Sequence, residues 1–383
     1  MSVFLEDTAR NNLPTWATAA IKDGYAKGAY LSPFASPKLG NGYKRSAADV
    51  AKTIISSGGE FWFDPMTYAL SMPRTGDFRH YNTWDLWGKD RGTLDTSHAQ
   101  KDHVNRVFDI QAELGSPHLA PAILVSYPDT LTSQRALELS QRSVEISANA
   151  WLTVAGDHQF WSAGAELDAH IGALDQLQPA GWLLVVTRSD NAMPPSATAE
   201  EVYGLMRTTY ALSQDRPVRV AFGDLAALPA VAAGAEALGT GWDMRQRLCA
   251  YQDFEERAPD ASTGGGWYQR PTLEGLFGGL TNGEYVILVS ENPALAERLT
   301  PGAIGPKPQQ AFRHHATTLT RIIDELMPLA GRQRVERLRD LYVGAHKEWP
   351  RVHRITGAKI GSDRWIKPFL EGIKLFCEAE GWN

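Results

Sequence analysis

Residues 218–247 read VRVAFGDLAALPAVAAGAEALGTGWDMRQR. An apolar run, Val218–Gly223, ends against an acid, Asp224. A short segment of small helix-forming residues follows. Gly234 then opens a second apolar run, Ala235–Gly239, which ends among glycines, Gly239 and Gly241. Runs that are continuously apolar rather than alternating belong to strands buried on both faces. A helical connection between two such runs makes a βαβ unit with a parallel sheet.

The same rhythm extends in both directions. Further runs are Ala29–Pro33, Glu60–Asp64, Ala120–Ser126, Ala150–Ala155, Gly181–Thr187 and Tyr285–Ser290. Helical stretches separate most of them, and helix starts are marked by Ser46 with Asp49, Ser97 with Gln100, Thr198 with Glu201, and Asn292 with Pro293. Eight runs predict a (β/α)8 TIM-like barrel, with a doubly wound open sheet as the alternative. The chain has 383 residues, and such barrels take roughly 250. The predicted organisation is a barrel over 1–295 and a helical, basic C-terminal appendage over 296–383. A long loop and helix insertion, 65–118, follows the Glu60–Asp64 run. Its aromatic stretch, with Trp84 and Trp87, is expected to lie over the strand-end mouth.

Composition excludes several classes. At 43% hydrophobic and 21% charged residues, the chain is neither disordered nor fibrous. No run of transmembrane length and no secretory leader is visible, which predicts a soluble cytoplasmic protein without a membrane partner. Two cysteines, Cys249 and Cys377, cannot build a disulfide framework or a four-cysteine zinc site. Lys307–Lys374 carries 14 Lys or Arg against seven Asp or Glu, a local +7 on a chain of net −6. Such a block either attracts a polyanion or forms solvated helix faces. Arg332, Arg334, Arg337 and Arg339 are its nucleic-acid-binding candidates.

Motifs for a P-loop, a dinucleotide site, a zinc protease helix, a C-x-x-C pair and a G-x-S-x-G elbow are all missing. No metal and no cofactor is therefore expected. His314 and His315 are adjacent, point in different directions on a helix, and are expected at the surface. Barrel chemistry sits at the C-terminal ends of the strands. The residues there include Asp64, Asp157 with His158, Gly223 with Asp224, and Gly241, Trp242 and Asp243. Several carboxylates on one rim suit acid–base or nucleophilic chemistry. Trp242 would stack on a planar ring, while Arg245 and Arg247 would hold an anionic group. The plainer reading makes Asp64 a turn residue before Pro65, Asp157 and Asp224 helix caps, and Trp242 core.

GGEFWFDPMTYAL, with Asp64, and AAGAEALGTGWDMRQR, with Asp243 and Arg247, give a layout that resembles the tRNA-guanine transglycosylase superfamily, which includes DNA-directed deazaguanine transglycosylases. The resemblance spans about residues 28–250. The chain departs from the family in lacking its zinc motif, in carrying Pro65-Met66-Thr67 where the family is glycine-rich, and in placing Asp243 several residues late. The resemblance implies a barrel enzyme that exchanges a guanine-type base in a nucleic acid for a 7-deazaguanine. Asp243 would be the nucleophile and Asp64 the proton-handling group. Asp157, His158, Gly223, Asp224, Gly241, Trp242, Arg245 and Arg247 would bind the substrate. Three other readings remain open. One is a barrel hydrolase on a small sugar or nucleoside. Another is a flavin- or phosphosubstrate-binding barrel. The last is a non-catalytic nucleic-acid-binding barrel. Homo-oligomerisation is compatible with all of them.

Overall fold

The structure, a computed structural model, describes residues 3–6, 12–42, 44–88, 91–190, 194–242, 246–255, 271–300, 302, 304–358 and 362–382. Its main strands are β1 (Val3–Glu6), β2 (Gly28–Leu31), β3 (Glu60–Phe63), β4 (Trp151–Gly156), β5 (Gly181–Arg188), β6 (Val218–Ala221) and β7 (Ala237–Thr240). A short β8 (Cys249–Ala250) and the pair β9 (Thr272–Leu273) and β10 (Gly278–Gly279) follow. The helices among the described residues are α1 (Leu13–Lys22), α2 (Ala47–Ser56), α3 (Arg79–Asn82), α4 (Ser97–Glu113), α5 (Leu131–Ile146), α6 (His158–Trp161), α7 (Ala165–Asp175), α8 (Ala199–Leu212), α9 (Leu228–Ala233), α10 (Asn282–Glu291), α11 (Pro293–Leu299), α12 (Pro308–Leu326), α13 (Arg332–Thr356) and α14 (Ile366–Ala379).

The seven main strands form one parallel sheet in the order β3-β2-β1-β7-β6-β5-β4. The sheet curls into a half-barrel, and across the curl the rings of Trp62 of β3 and Trp151 of β4, its two edge strands, stand 5.0 Å apart, centre to centre. Inside the curl, at the end where the strands begin, lies the guanidinium of Arg219. It sits 4.6 Å from the Phe4 ring, 4.9 Å from Trp62 and 4.6 Å from Trp151. Glu60 at 3.0 Å and Glu236 at 2.7 Å balance its charge. A buried cation is tolerated here because aromatic faces and two carboxylates replace its water. This end is plugged; the opposite end, where the strands finish, is the mouth.

Six of the expected runs form strands. The Ala120–Ser126 run is not a strand. It lies beside β4 through isolated bridges only, Leu119 to Trp151 and Val125 to Gly156. Pro121 has no N–H to give to a ladder, which interrupts the pairing. On the β3 side, side chains replace a ladder. The fully buried Gln111 of α4 donates to Phe63 O (2.9 Å) and Leu119 O (2.8 Å) and accepts from Leu119 N (3.0 Å), and Ser116 Oγ accepts from Phe63 N at 2.9 Å. Gln111→Ala strands these backbone groups in the interior and is expected to cost at least about 2 kcal/mol in urea unfolding. A loss within about 0.5 kcal/mol would show that water replaces the amide.

Tyr285–Ser290 is a correction: it is helical, inside α10. Thr281 accepts from Glu284 N at 3.2 Å while the Glu284 carboxylate accepts from Thr281 N at 2.7 Å. This capping box starts a helix through a β-branched run, and only Leu288 of α10 is buried. The missing strand is β1, a four-residue central strand between β2 and β7. Caps hold as read at Ser46, Thr198 and Asn292. For α4 the cap is Thr96, one residue before the expected Ser97, and Gln100 reaches Leu94 O instead.

The C-terminal helices pack on the strand-connecting helices, α12 on α1 and α9, α13 on α9, and α14 on α8. Among the described residues no helix is long and apolar enough to cross a membrane.

Candidate functional site at the strand-end mouth

Four strands deliver acids to the mouth. Glu6 ends β1, Asp64 follows β3, Asp157 follows β4 and Asp224 follows β6; Glu6, Asp64 and Asp224 are buried. Non-glycine residues in the left-handed backbone region gather at two of these ends. They are Met66 (φ 46°) beside Asp64, and Phe222 (φ 51°) and Asp224 (φ 43°) after β6. Such strain persists where the surroundings over-determine the backbone, commonly at functional sites.

Asp64 sits deepest. Its carboxyl accepts from Met66 N and from the Tyr68 hydroxyl, both at 2.8 Å. Burial pushes it up from 3.8 to about 6, against the lowering effect of these two bonds. Burial and the Asp64 charge hold the Tyr68 hydroxyl well above its usual range. Cys249 of β8, set beside the end of β5 through Thr187, is raised likewise by burial and then by Asp64. Glu6 accepts from Phe222 N at 3.1 Å. A Cβ at position 239 would fall 2.0 Å from the Glu6 carboxylate, so Gly239 makes room for this acid. A buried carboxyl that titrates near neutrality can both give and take a proton at working pH.

Asp224 is built differently. Its Oδ2 accepts from His315 Nε2 at 2.8 Å and from the Thr240 hydroxyl, with Arg247 Nε 3.7 Å away. His315 Nδ1 lies 2.7 Å from Thr272 Oγ1. A carboxylate only accepts, so Nε2 carries the imidazole proton and Thr272 donates to Nδ1. Burial would raise Asp224, but His315, Arg247 and Thr240 hold it well below the usual carboxylate range. Burial, followed by Arg247, lowers His315. The expectation that His315 is at the surface is corrected: it is 2% exposed. Its signal was the spacing Phe312, His315, Leu319, Ile322 on one face of α12.

Asp157 caps α6, its Oδ1 accepting from Gln159 N (3.0 Å) and Phe160 N (3.2 Å). Its Oδ2 accepts from Ser126 (2.5 Å) and Tyr251 (3.3 Å). His158 begins α6 and is exposed. Gly241 O accepts from Arg247 Nε at 2.8 Å. At Gly241 the space a Cβ would need is filled by Gln246, and at Gly223 by Ala227. Trp242 is half-buried and meets Trp16 of α1 edge to face at 5.8 Å. Asp243 and Arg245 lie outside the described residues.

The insertion roofs the mouth. Trp84 is buried against Phe63 at the end of β3, and Trp87 stacks on His103 at 3.9 Å. Phe78 and Tyr81 join Phe34 and Phe254 in one aromatic cluster. Farther away, Arg332 pairs with Glu336 and Arg337 with Glu325, while Arg334 donates to the carbonyls of Leu329, Met327 and Val231. Arg339 stands 3.7 Å from Asp340. Arg332 and Arg339 line a groove between α13 and α14 with Lys367 and Lys374.

Glu6 and Tyr68 were not legible as site residues. Glu6 ends a run too short to read as a strand, and Tyr68 reaches Asp64 only because a 3-10 turn, Thr67–Ser71, follows it. Among the described residues no group of three His, Cys, Asp or Glu is placed to hold a metal ion. No family model matches this chain, and no curated protein sequence matches it.

Proposed function

We propose that the curled sheet and residues 118–125 together make a (β/α)8 barrel whose mouth carries out pentosyl transfer, exchanging a guanine-type base in a nucleic acid. One observation carries this reading: Asp64, at the end of β3, is a buried carboxyl raised to about 6 with Tyr68 bonded to it. That is the protonation behaviour base exchange asks of the group beside the departing base. The Asp243 carboxylate attacks the anomeric carbon, the glycosidic C–N bond breaks, and its electron pair leaves on the base nitrogen. The Asp64 carboxyl supplies the proton to that nitrogen. The incoming base returns a proton to Asp64 as its nitrogen displaces Asp243. A polyanionic partner would meet Arg332, Arg339, Lys367 and Lys374 in the groove between α13 and α14, where Glu336, Glu371 and Glu378 offset part of their charge.

The test is incorporation of radiolabelled guanine into transfer RNA and into duplex DNA. The wild-type chain is expected to fix label in one of them, and Asp64→Asn to fix it at least about 100-fold more slowly. Absence of label from both nucleic acids, or undiminished exchange by Asp64→Asn, would overturn the reading. Release of free base without incorporation would assign a hydrolase instead.

A further inference from the structure

A cavity lies beside the mouth, between the insertion and the start of α5. It holds about 600 Å³ and its lining includes Thr67, Trp87, Ser126, Tyr127, Asp157 and Tyr251. That volume is within the range of small-molecule sites. Asp64 and Tyr68 are not part of its wall.

Three hydroxyls of this wall have their protons committed elsewhere. Ser126 donates to Asp157 at 2.5 Å, and Tyr251 donates to the same oxygen at 3.3 Å. Thr67 stands 3.0 Å from His103 Nε2, and His103 Nδ1 stands 2.8 Å from Leu86 O. A carbonyl only accepts, so Nδ1 carries the proton and Nε2 receives the Thr67 proton. Burial lowers His103 to about 4, which keeps the ring neutral and this pattern intact. Asp157 already accepts four hydrogen bonds. What remains of these three hydroxyls is lone pairs, so all three accept and do not donate.

Such a wall selects its ligand. A carboxylate ion, which only accepts, finds no donor among these three hydroxyls, and any anion there meets the Asp157 charge. The cation at the cavity, Arg135, is paired with Asp95 at 2.8 Å, which offsets its charge. A neutral ligand with several O–H donors fits, and aromatic rings offer it a flat apolar surface. Trp87 has His103 on one face and also lines the cavity, and Tyr127 is 51% exposed. Donor hydroxyls around an apolar C–H face describe a sugar ring.

We propose that this cavity binds a neutral sugar ring, its hydroxyls donating to Ser126, Tyr251 and Thr67 and its face resting on aromatic side chains. The proposal goes beyond base exchange and does not rest on it, because binding is read without turnover. The experiment is saturation-transfer NMR on the full chain with D-ribose, D-glucose and N-acetyl-D-glucosamine, with phosphate, acetate and guanine as competitors. At least one sugar is expected to bind, and neither phosphate nor acetate to displace it. Ser126→Ala and Tyr127→Ala are each expected to weaken that sugar about fivefold. Tyr127→Ala removes a half-exposed ring, so it decides the matter where Ser126→Ala loosens Asp157 and fails to fold. Binding of no sugar, displacement by phosphate or acetate, preference for guanine, or unchanged affinity in Tyr127→Ala would each overturn the proposal.

Discussion

Asp64→Asn is expected to be more stable than the wild-type chain at pH 8, by about 2 kcal/mol, and to lose that advantage by pH 4. The carboxyl is raised from 3.8 to about 6 by burial. An acid with a raised folded value binds more protons folded than unfolded between those two values. Stability therefore falls as pH rises through that window, and the contribution is fully present only below about 4. Roughly two pKa units correspond to about 3 kcal/mol, some of which the replacement loses with its altered bond to Tyr68. Asparagine still accepts from Met66 N, and the Tyr68 hydroxyl turns to accept from the amide. Urea unfolding at pH 4 and pH 8 checks it. Equal stability at pH 8, or a difference independent of pH, would sink it. A variant that gains stability while losing base exchange would mark Asp64 as a group kept at a cost to the fold.

Asp224 carries the opposite sign and a larger effect. Its carboxylate is held below the usual range, so its contribution is present above about pH 4 and is lost as pH falls through the depressed value. Asp224→Ala leaves the His315 N–H, the Thr240 hydroxyl and the Arg247 guanidinium without their shared acceptor, at a position 1% exposed. Removing one member of a buried charged network costs about 3–5 kcal/mol. Asp224→Asn keeps the shape and one acceptor, and is expected to cost about half as much. The second measurement is a double-mutant cycle with His315→Ala, where the two losses should fall well short of adding. A single-variant loss under about 1 kcal/mol would show that Asp224 merely starts its turn. The network ties the ends of β6 and β7 to α12.

The amino-acid sequence by itself determined the parallel α/β character and most strand positions. Continuous apolar runs such as Gly181–Thr187 and Val218–Gly223 suit strands of a sheet covered on both faces. It also determined several helix starts, because caps at Ser46, Thr198 and Asn292 are local hydrogen bonds made within three residues. It placed Asp64, Asp157 and Asp224 at strand ends. Local cues decided against one run, since the capping box of Thr281 and Glu284 turns Tyr285–Ser290 into helix.

Tertiary structure alone decided what each acid does. Asp64 and Asp224 are the same side chain after similar apolar runs. One faces Tyr68 in an apolar setting and is raised; the other meets Arg247 and His315 and is lowered. His315 lies 91 positions from Asp224, and Glu6 lies 216 from the Phe222 amide it accepts from. The pKa of a buried group is set by its desolvation and by the charges around it. Those neighbours come from strands and helices far apart in the chain, so no local pattern announces them.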